Sequence, residues 1–272
     1  MQDSMRQPVP ALDRNLLSTV LNRVPEVTLV FWVIKILATT VGETAADFLA
    51  VTLNLGLNVT SYLMVGLLVA VLVNQFRLKR YVPASYWTVV VLISIVGTLI
   101  TDNLVDNLGV GLVTTTVVFG VALIAVFGAW YASEKTLAMK SIDTPRRELF
   151  YWAAILLTFA LGTAAGDLLA EGLGLGYGAS ALVYGGAIAL VAVLHYGLKL
   201  NAVLAFWIAY ILTRPLGASV GDLLSQTVAD GGLGLGTVGT SALFLAVILG
   251  LVIFLSLRQK RTPPSEPAEA TL

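Results

Sequence analysis

Four stretches decide the fold: FWVIKILATTVGETAAD (31–47), YWTVVVLISIVGTLITD (86–102), YWAAILLTFALGTAAGD (151–167) and FWIAYILTRPLGASVGD (206–222). Each opens on an aromatic–tryptophan pair, and Trp32, Trp87, Trp152 and Trp207 follow one another at intervals of 55, 65 and 55 residues. The tenth residue after each tryptophan is Gly42, Gly97, Gly162 or Gly217, and the fifteenth is Asp47, Asp102, Asp167 or Asp222. Identities at fixed offsets in four copies mark tandem structural units, so the period is read before any local pattern. A looser Gly-x-Gly or Asn-x-Gly element follows each stretch (Asn54/Gly56, Gly109/Gly111, Gly174/Gly176, Gly234/Gly236), and a second apolar segment closes each unit.

Composition sets the solvent. Of 272 residues, 57% are hydrophobic and 12% charged, and the mean hydropathy is +0.88; a soluble chain carries about 25% charge. The apolar excess is blockwise: Ser61–Asn74, Val113–Ala132, Ala179–Leu194 and Thr240–Leu257 hold no charged residue. With their flanks these blocks meet the requirement of about 20 residues for crossing a bilayer. The formal net charge is zero and no long basic run is present, which argues against a nucleic-acid partner. The absence of cysteine removes thiolate metal sites and disulfides.

The expected architecture is an all-α polytopic membrane protein of eight transmembrane helices, arranged as four parallel two-helix repeats in a pseudo-fourfold or paired bundle. The spans are placed at 25–49, 61–76, 82–105, 113–131, 147–171, 179–197, 201–225 and 238–257. The units are then an N-terminal tail (1–24), repeat one (25–80), repeat two (81–135) with a loop insertion (136–145), repeat three (146–200), repeat four (201–257) and a C-terminal tail (258–272). The first 24 residues hold Arg6, Arg14 and Arg23 but no short apolar core with a cleavage site, so they read as a tail rather than a signal peptide.

The repeat resembles a family of bacterial membrane proteins with four tandem copies of a repeat of unknown function, each copy having two transmembrane segments and a tryptophan. Residues 25–258 carry the resemblance, with Trp32, Trp87, Trp152 and Trp207 at the tryptophan position. It implies the architecture and no activity, so function is read from the residues.

Loops after even-numbered spans carry Arg77, Lys79, Arg80, Lys135, Lys140, Arg146, Arg147 and Lys199, while loops after odd-numbered spans carry no lysine or arginine. By the positive-inside rule the basic loops and both termini are cytoplasmic, and the glycine turns face outward. The expected location is the bacterial inner membrane. All four repeats then point the same way, related by axes along the membrane normal. The tryptophans fall at the cytoplasmic interface as headgroup anchors, and the aspartates lie ~22 Å further along the helix.

Around that outer level collect Glu43, Asp47, Asp102, Asp106, Asp167, Glu171 and Asp222, with Glu43/Asp47, Asp102/Asp106 and Asp167/Glu171 each spaced to share a helix face. A charge at mid-bilayer costs at least ~2.5–3.5 kcal/mol, so such groups normally face a protein interior or an aqueous path. We take Asp47, Asp102, Asp167, Asp222 and Glu43 as metal ligands. Asp106 and Glu171 form a second tier that also reads as water-exposed helix-end punctuation. Two bases sit well inside the spans as counter-ions, Arg214 and Lys35; Glu43, eight residues after Lys35, is placed to pair within its own helix or across to Arg214, and the simpler reading of Lys35 is snorkelling to the headgroups. Oxygen donors at Thr40, Thr98, Thr101, Thr163, Ser219 and Asn103 favour hard cations. His195, the single histidine, falls at the far end of span six and reads as an interfacial side chain.

The repeated glycines (Gly42, Gly97, Gly162, Gly217) are expected to allow close helix packing, with a helix break that exposes carbonyls as the alternative. Pro215 is expected to remove a backbone bond and kink its helix. The leading functional expectation is a transporter of a hard divalent cation, Mn²⁺ or Mg²⁺, that uses no cofactor and is not an enzyme. Its expected partners are the lipid bilayer and the transported cation. Competing readings are a non-transporting scaffold or sensor, and an intramembrane aspartyl hydrolase with Asp167 and Asp222 as its dyad.

Overall fold

The computed structural model describes residues 22–261. Most of the tail expected at 1–24, and all but the start of that at 258–272, lies outside the described residues. Eight long helices run α1 (Leu29–Asp47), α2 (Gly56–Arg77), α3 (Pro83–Asp102), α4 (Leu112–Glu134), α5 (Pro145–Asp167), α6 (Tyr177–Leu198), α7 (Ala202–Ser225) and α8 (Gly236–Arg261). All eight are long and apolar enough to cross a membrane, and the described residues contain no strand.

Local chemistry sets where they begin and end. The Thr28 and Thr144 hydroxyls accept from the Phe31 and Arg147 amides, and the Asn201 side chain accepts from Val203 and Leu204, so three odd-numbered helices start on a side-chain cap. Pro83 and Pro145 occupy first-turn positions, where the missing N–H costs nothing. At the turns Asn54, Gly109, Gly174 and Gly234 all take positive φ, between 54° and 73°. Asparagine replaces glycine in repeat one because it is among the few residues that tolerate this region. Those turns are left-handed reversals between helices, which accounts for their glycines.

The odd-numbered helices form the inner layer. α1 packs on α3, α3 on α5, α5 on α7, and α7 back on α1. The even-numbered helices pack chiefly on the first helix of the next repeat: α2 on α3, α4 on α5, α6 on α7, and α8 on α1, with a smaller contact between α8 and its own partner α7. Each repeat therefore hands its second helix to the first helix of the next, which makes the bundle a closed pseudo-fourfold ring and not a pair of pairs. Over the most apolar eighteen residues of each span, 67, 61, 56 and 50% are buried in the inner helices, against 11, 17, 11 and 22% in the outer ones. Apolar side chains on α2, α4, α6 and α8, such as Tyr62, Ile124, Leu182 and Leu243, are left exposed to face lipid.

Two of the repeated features are the fastenings of this ring. In each aromatic–tryptophan pair the first residue touches the tryptophan of the next repeat: Phe31–Trp87 at 5.5 Å, Tyr86–Trp152 at 5.4 Å, Tyr151–Trp207 at 6.2 Å and Phe206–Trp32 at 5.7 Å between ring centroids. Aromatic pairs at such separations add about 0.5–1.5 kcal/mol each beyond area burial. The expectation of headgroup anchors is corrected here: Trp87, Trp152 and Trp207 are buried inside the bundle, and only Trp32 is partly exposed.

The second fastening lies one helical stretch further on. A Cβ added to Gly42 would collide with Ser94, one on Gly97 with Phe159, one on Gly162 with Arg214, and one on Gly217 with Thr39. Each of those partners stands seven residues after its own tryptophan, so the same step recurs around the ring and brings neighbouring backbones together. The helices run through these glycines unbroken. α7 likewise continues through Pro215, which leaves the Ile211 carbonyl without its usual donor.

Candidate functional site

One residue beyond each glycine the inner helices present Glu43, Thr98, Thr163 and Ala218. Three of these four converge on a guanidinium. Arg214 Nη2 donates to Glu43 Oε2 at 2.7 Å and to Thr163 Oγ1 at 2.6 Å, and it also contacts Thr98 Oγ1. The arginine is fully buried and Glu43 nearly so. Four helices from four repeats thus share one ion pair. Arg214 Nε and Nη1 have no hydrogen-bond partner, which is costly for a buried charged group and leaves two donors in reserve.

One turn further, the aspartates arrive unequally. Glu43, Asp167 and Asp222 each bring a carboxylate oxygen into one group whose members all lie within 4.8 Å of one another. Asp47 and Asp102 do not belong to that group, although they occupy the same repeat position. Asp47 accepts from Gln226 Nε2 at 3.2 Å, and Asp102 is half-buried. Asp106 and Glu171 are exposed, and Glu171 accepts from the Tyr177 hydroxyl at 3.1 Å. In repeats one to three the residues just after the aspartate form a π-helical turn: Phe48–Thr52, Asn103–Asn107 and Leu168–Gly172. Such turns recur at functional sites. Repeat four lacks it, since α7 ends at Ser225 and a short 3₁₀ turn, Val228–Asp230, follows.

Among the oxygen donors named from sequence, Thr98 and Thr163 join the arginine. Thr40 and Thr101 spend their hydroxyls on backbone carbonyls, Ile36 for Thr40, and Gly97 and Ala160 for Thr101, while Asn103 donates to the Leu99 carbonyl and the Ser61 hydroxyl and accepts from Asn107. The Ser219 hydroxyl is buried without a partner.

Lys35 does not snorkel. Its side chain is fully buried toward the ring, with Nζ 4.1 Å from the centre of the Tyr210 ring and 4.4 Å from that of Phe159, and with no hydrogen-bond partner. It therefore pairs with no carboxylate among the described residues, and the counter-ion role falls to Arg214. His195 Nδ1 lies 2.8 Å from the Leu200 carbonyl, at the end of α6.

A second buried polar network closes the aromatic end of the ring and was not anticipated. Glu148, fully buried in the first turn of α5, pairs with Arg23 at 2.6 Å and accepts from Gln75 Nε2 at 3.2 Å and Trp152 Nε1 at 3.3 Å. The spacing of Glu148 four residues before Trp152, which puts both on one helix face, was the available signal.

The family model described as Repeat of Unknown Function (DUF347) matches the chain four times, over residues 30–81, 85–136, 150–200 and 205–261. No curated protein and no solved structure matches it. The chain belongs to the DUF347 repeat family.

Proposed function

We propose that this member of the DUF347 repeat family is a transporter of a hard divalent cation, Mn²⁺ or Mg²⁺, in the bacterial inner membrane, with both termini cytoplasmic. The observation that carries the reading is the convergence of Glu43, Asp167 and Asp222, from three repeats, beside one buried arginine. Three ionised carboxylates against one guanidinium leave two negative charges in a space of low polarity. Isolated buried charges are too costly to persist, so the three carboxylates are ionised together only beside a partner of charge two. All three ligands are carboxylate oxygens, which suit hard ions better than thiophilic ones.

Arg214 supplies what a carrier needs besides a site. It neutralises Glu43 when no ion is bound, and its two unpartnered nitrogens are free to take a second carboxylate as the ion leaves. The residue has no basic counterpart at the same position in the other repeats, where Thr39, Ser94 and Phe159 stand. Transport is preferred to aspartyl hydrolysis because the third carboxylate and the arginine are superfluous to a two-acid mechanism.

The test is transport itself. Reconstituted protein should move Mn²⁺ or Mg²⁺ into vesicles, Asp167→Asn and Asp222→Asn should abolish the flux, and cells carrying those variants should differ from wild type in metal content. Folded variants that leave flux and metal content unchanged would overturn the reading. Loss of folding in the variants, with no cation stabilising the wild type, would favour a scaffold held together by its acids.

A further inference from the structure

The four junctions where an even-numbered helix meets the next inner helix are equivalent by the repeat, and one of them is hollow. Equivalent positions lie sixteen and nineteen residues after the turn residues Gly56, Gly111, Gly176 and Gly236, and two residues before each tryptophan. At the α2–α3 junction the three positions are Leu72, Gln75 and Ser85. Gln75 is fully buried, accepts from Ser85 Oγ and donates to Glu148. At α4–α5 they are Phe127, Trp130 and Phe150. Trp130 is fully buried, stacked on Phe150 at 6.3 Å and edge-on to Trp207 at 5.8 Å. At α8–α1 they are Val252, Leu255 and Val30, all packed against the core.

At α6–α7 the same positions hold Ala192, His195 and Ala205. There a cavity of about 710 Å³ opens, lined by those three residues together with Trp32, Phe206 and Lys140. Two alanines and a histidine stand where the α4–α5 junction has three large aromatics, and Trp32 is left partly exposed where its counterpart Trp207 is covered. The volume lies within the range of about 300–1,000 Å³ typical of ligand pockets.

We propose that this cavity holds an acyl chain of an anionic phospholipid, with the phosphate group at Lys140 and His195. The wall formed by α6 belongs to the lipid-facing layer, where neighbouring Leu190 and Tyr196 are exposed, so the opening meets hydrocarbon. The lining is mostly apolar and includes no aspartate or glutamate, while Lys140 and His195 sit at the end of the bundle that bears the basic loops. Basic pockets between membrane helices on that side select anionic headgroups. The inference does not depend on the cation reading.

The experiment uses delipidated full-length protein in detergent, titrated with phosphatidylglycerol or with phosphatidylcholine of the same acyl chains, and reads native mass and Tm. Phosphatidylglycerol is expected to give a one-to-one adduct and raise Tm, as a ligand of the folded state must, and phosphatidylcholine to do neither. The variant Ala192→Phe/His195→Trp/Ala205→Phe, which copies the filled α4–α5 junction, should lose the adduct with Tm at or above that of wild type. Should the triple variant not fold, Lys140→Gln/His195→Gln keeps the cavity and should lose the preference for phosphatidylglycerol. Equal binding of the two lipids by wild type, an adduct that survives filling, or an undiminished preference in the charge variant would each overturn the proposal.

Discussion

The two ends of the inner ring are built by the same four helices from the same repeat, and they obey different rules. At the aromatic end every repeated pair makes the same contact with the next, so repetition in sequence becomes symmetry in space. Toward the opposite end the aspartate is just as repeated, but Asp167 and Asp222 reach Glu43 within 4.8 Å while Asp47 and Asp102 fall outside that group. Packing contacts are satisfied pairwise and four of them coexist without conflict. Like charges repel, so four identical carboxylates have no reason to share one point in a medium of low polarity. The single-copy residues Glu43 and Arg214 break the symmetry and choose which aspartates meet.

The largest test of that contrast is Arg214→Gln. Removing one partner of a buried ion pair costs about 3–5 kcal/mol, so chemical or thermal denaturation in detergent should show a severely weakened fold. Arg214→Gln/Glu43→Gln should recover much of the loss, because no charge is then left alone. A single variant as stable as wild type would mean that the pair does not organise the site.

Next in size is the inequality of the aspartates. A cation at 100 times its Kd stabilises the fold by about 2.7 kcal/mol. Asp167→Asn and Asp222→Asn should abolish the rise of Tm with added Mn²⁺ or Mg²⁺, and Asp102→Asn should reduce it far less. Equal losses at all four positions would restore the symmetric site expected from the repeat.

The packing end is tested by glycine. Gly42→Ala and Gly217→Ala force a methyl group into Ser94 and Thr39 and should each cost about 1–3 kcal/mol. Gly66→Ala, within α2 where an added Cβ meets nothing, should instead stabilise by about 0.5–1 kcal/mol. Denaturation midpoints of the three variants decide this, and similar values for all would remove the close approach from the account.

The smallest effect is expected at Lys35. Its amine has two aromatic faces and no hydrogen bond, so Lys35→Met, which keeps the length and removes the polar group, should leave Tm unchanged or raised. A marked fall in Tm would show that the amine has a partner the ring does not reveal.

Reading the residues in order recovered the elements because each follows from a short-range rule. Asn54, Gly109, Gly174 and Gly234 permit reversals, and charge-free blocks such as Val113–Ala132 have no stable place in water. The offsets of ten and fifteen residues also placed the glycines and aspartates on their helices, since helical geometry fixes position along an axis. Burial was harder to read. Trp87, Trp152 and Trp207 carry the signature of interfacial anchors, and Lys35 that of a snorkelling base, because amphipathic side chains look alike whether their apolar body meets lipid or protein. Glu148 was passed over for a related reason: its partners Arg23 and Gln75 are 125 and 73 residues away.

By itself the sequence determined that this chain crosses the membrane in eight helices, with four units alike and one acid level, since hydropathy, period and helical rise are properties of a chain read in one dimension. Only the tertiary structure decided that each second helix is passed on to the next unit, that Arg214 meets Glu43, and that two of the four aspartates share their site. Those outcomes depend on how helices rotate and close into a ring. That rotation is fixed by side chains far apart in sequence, each of which alone is compatible with several neighbours.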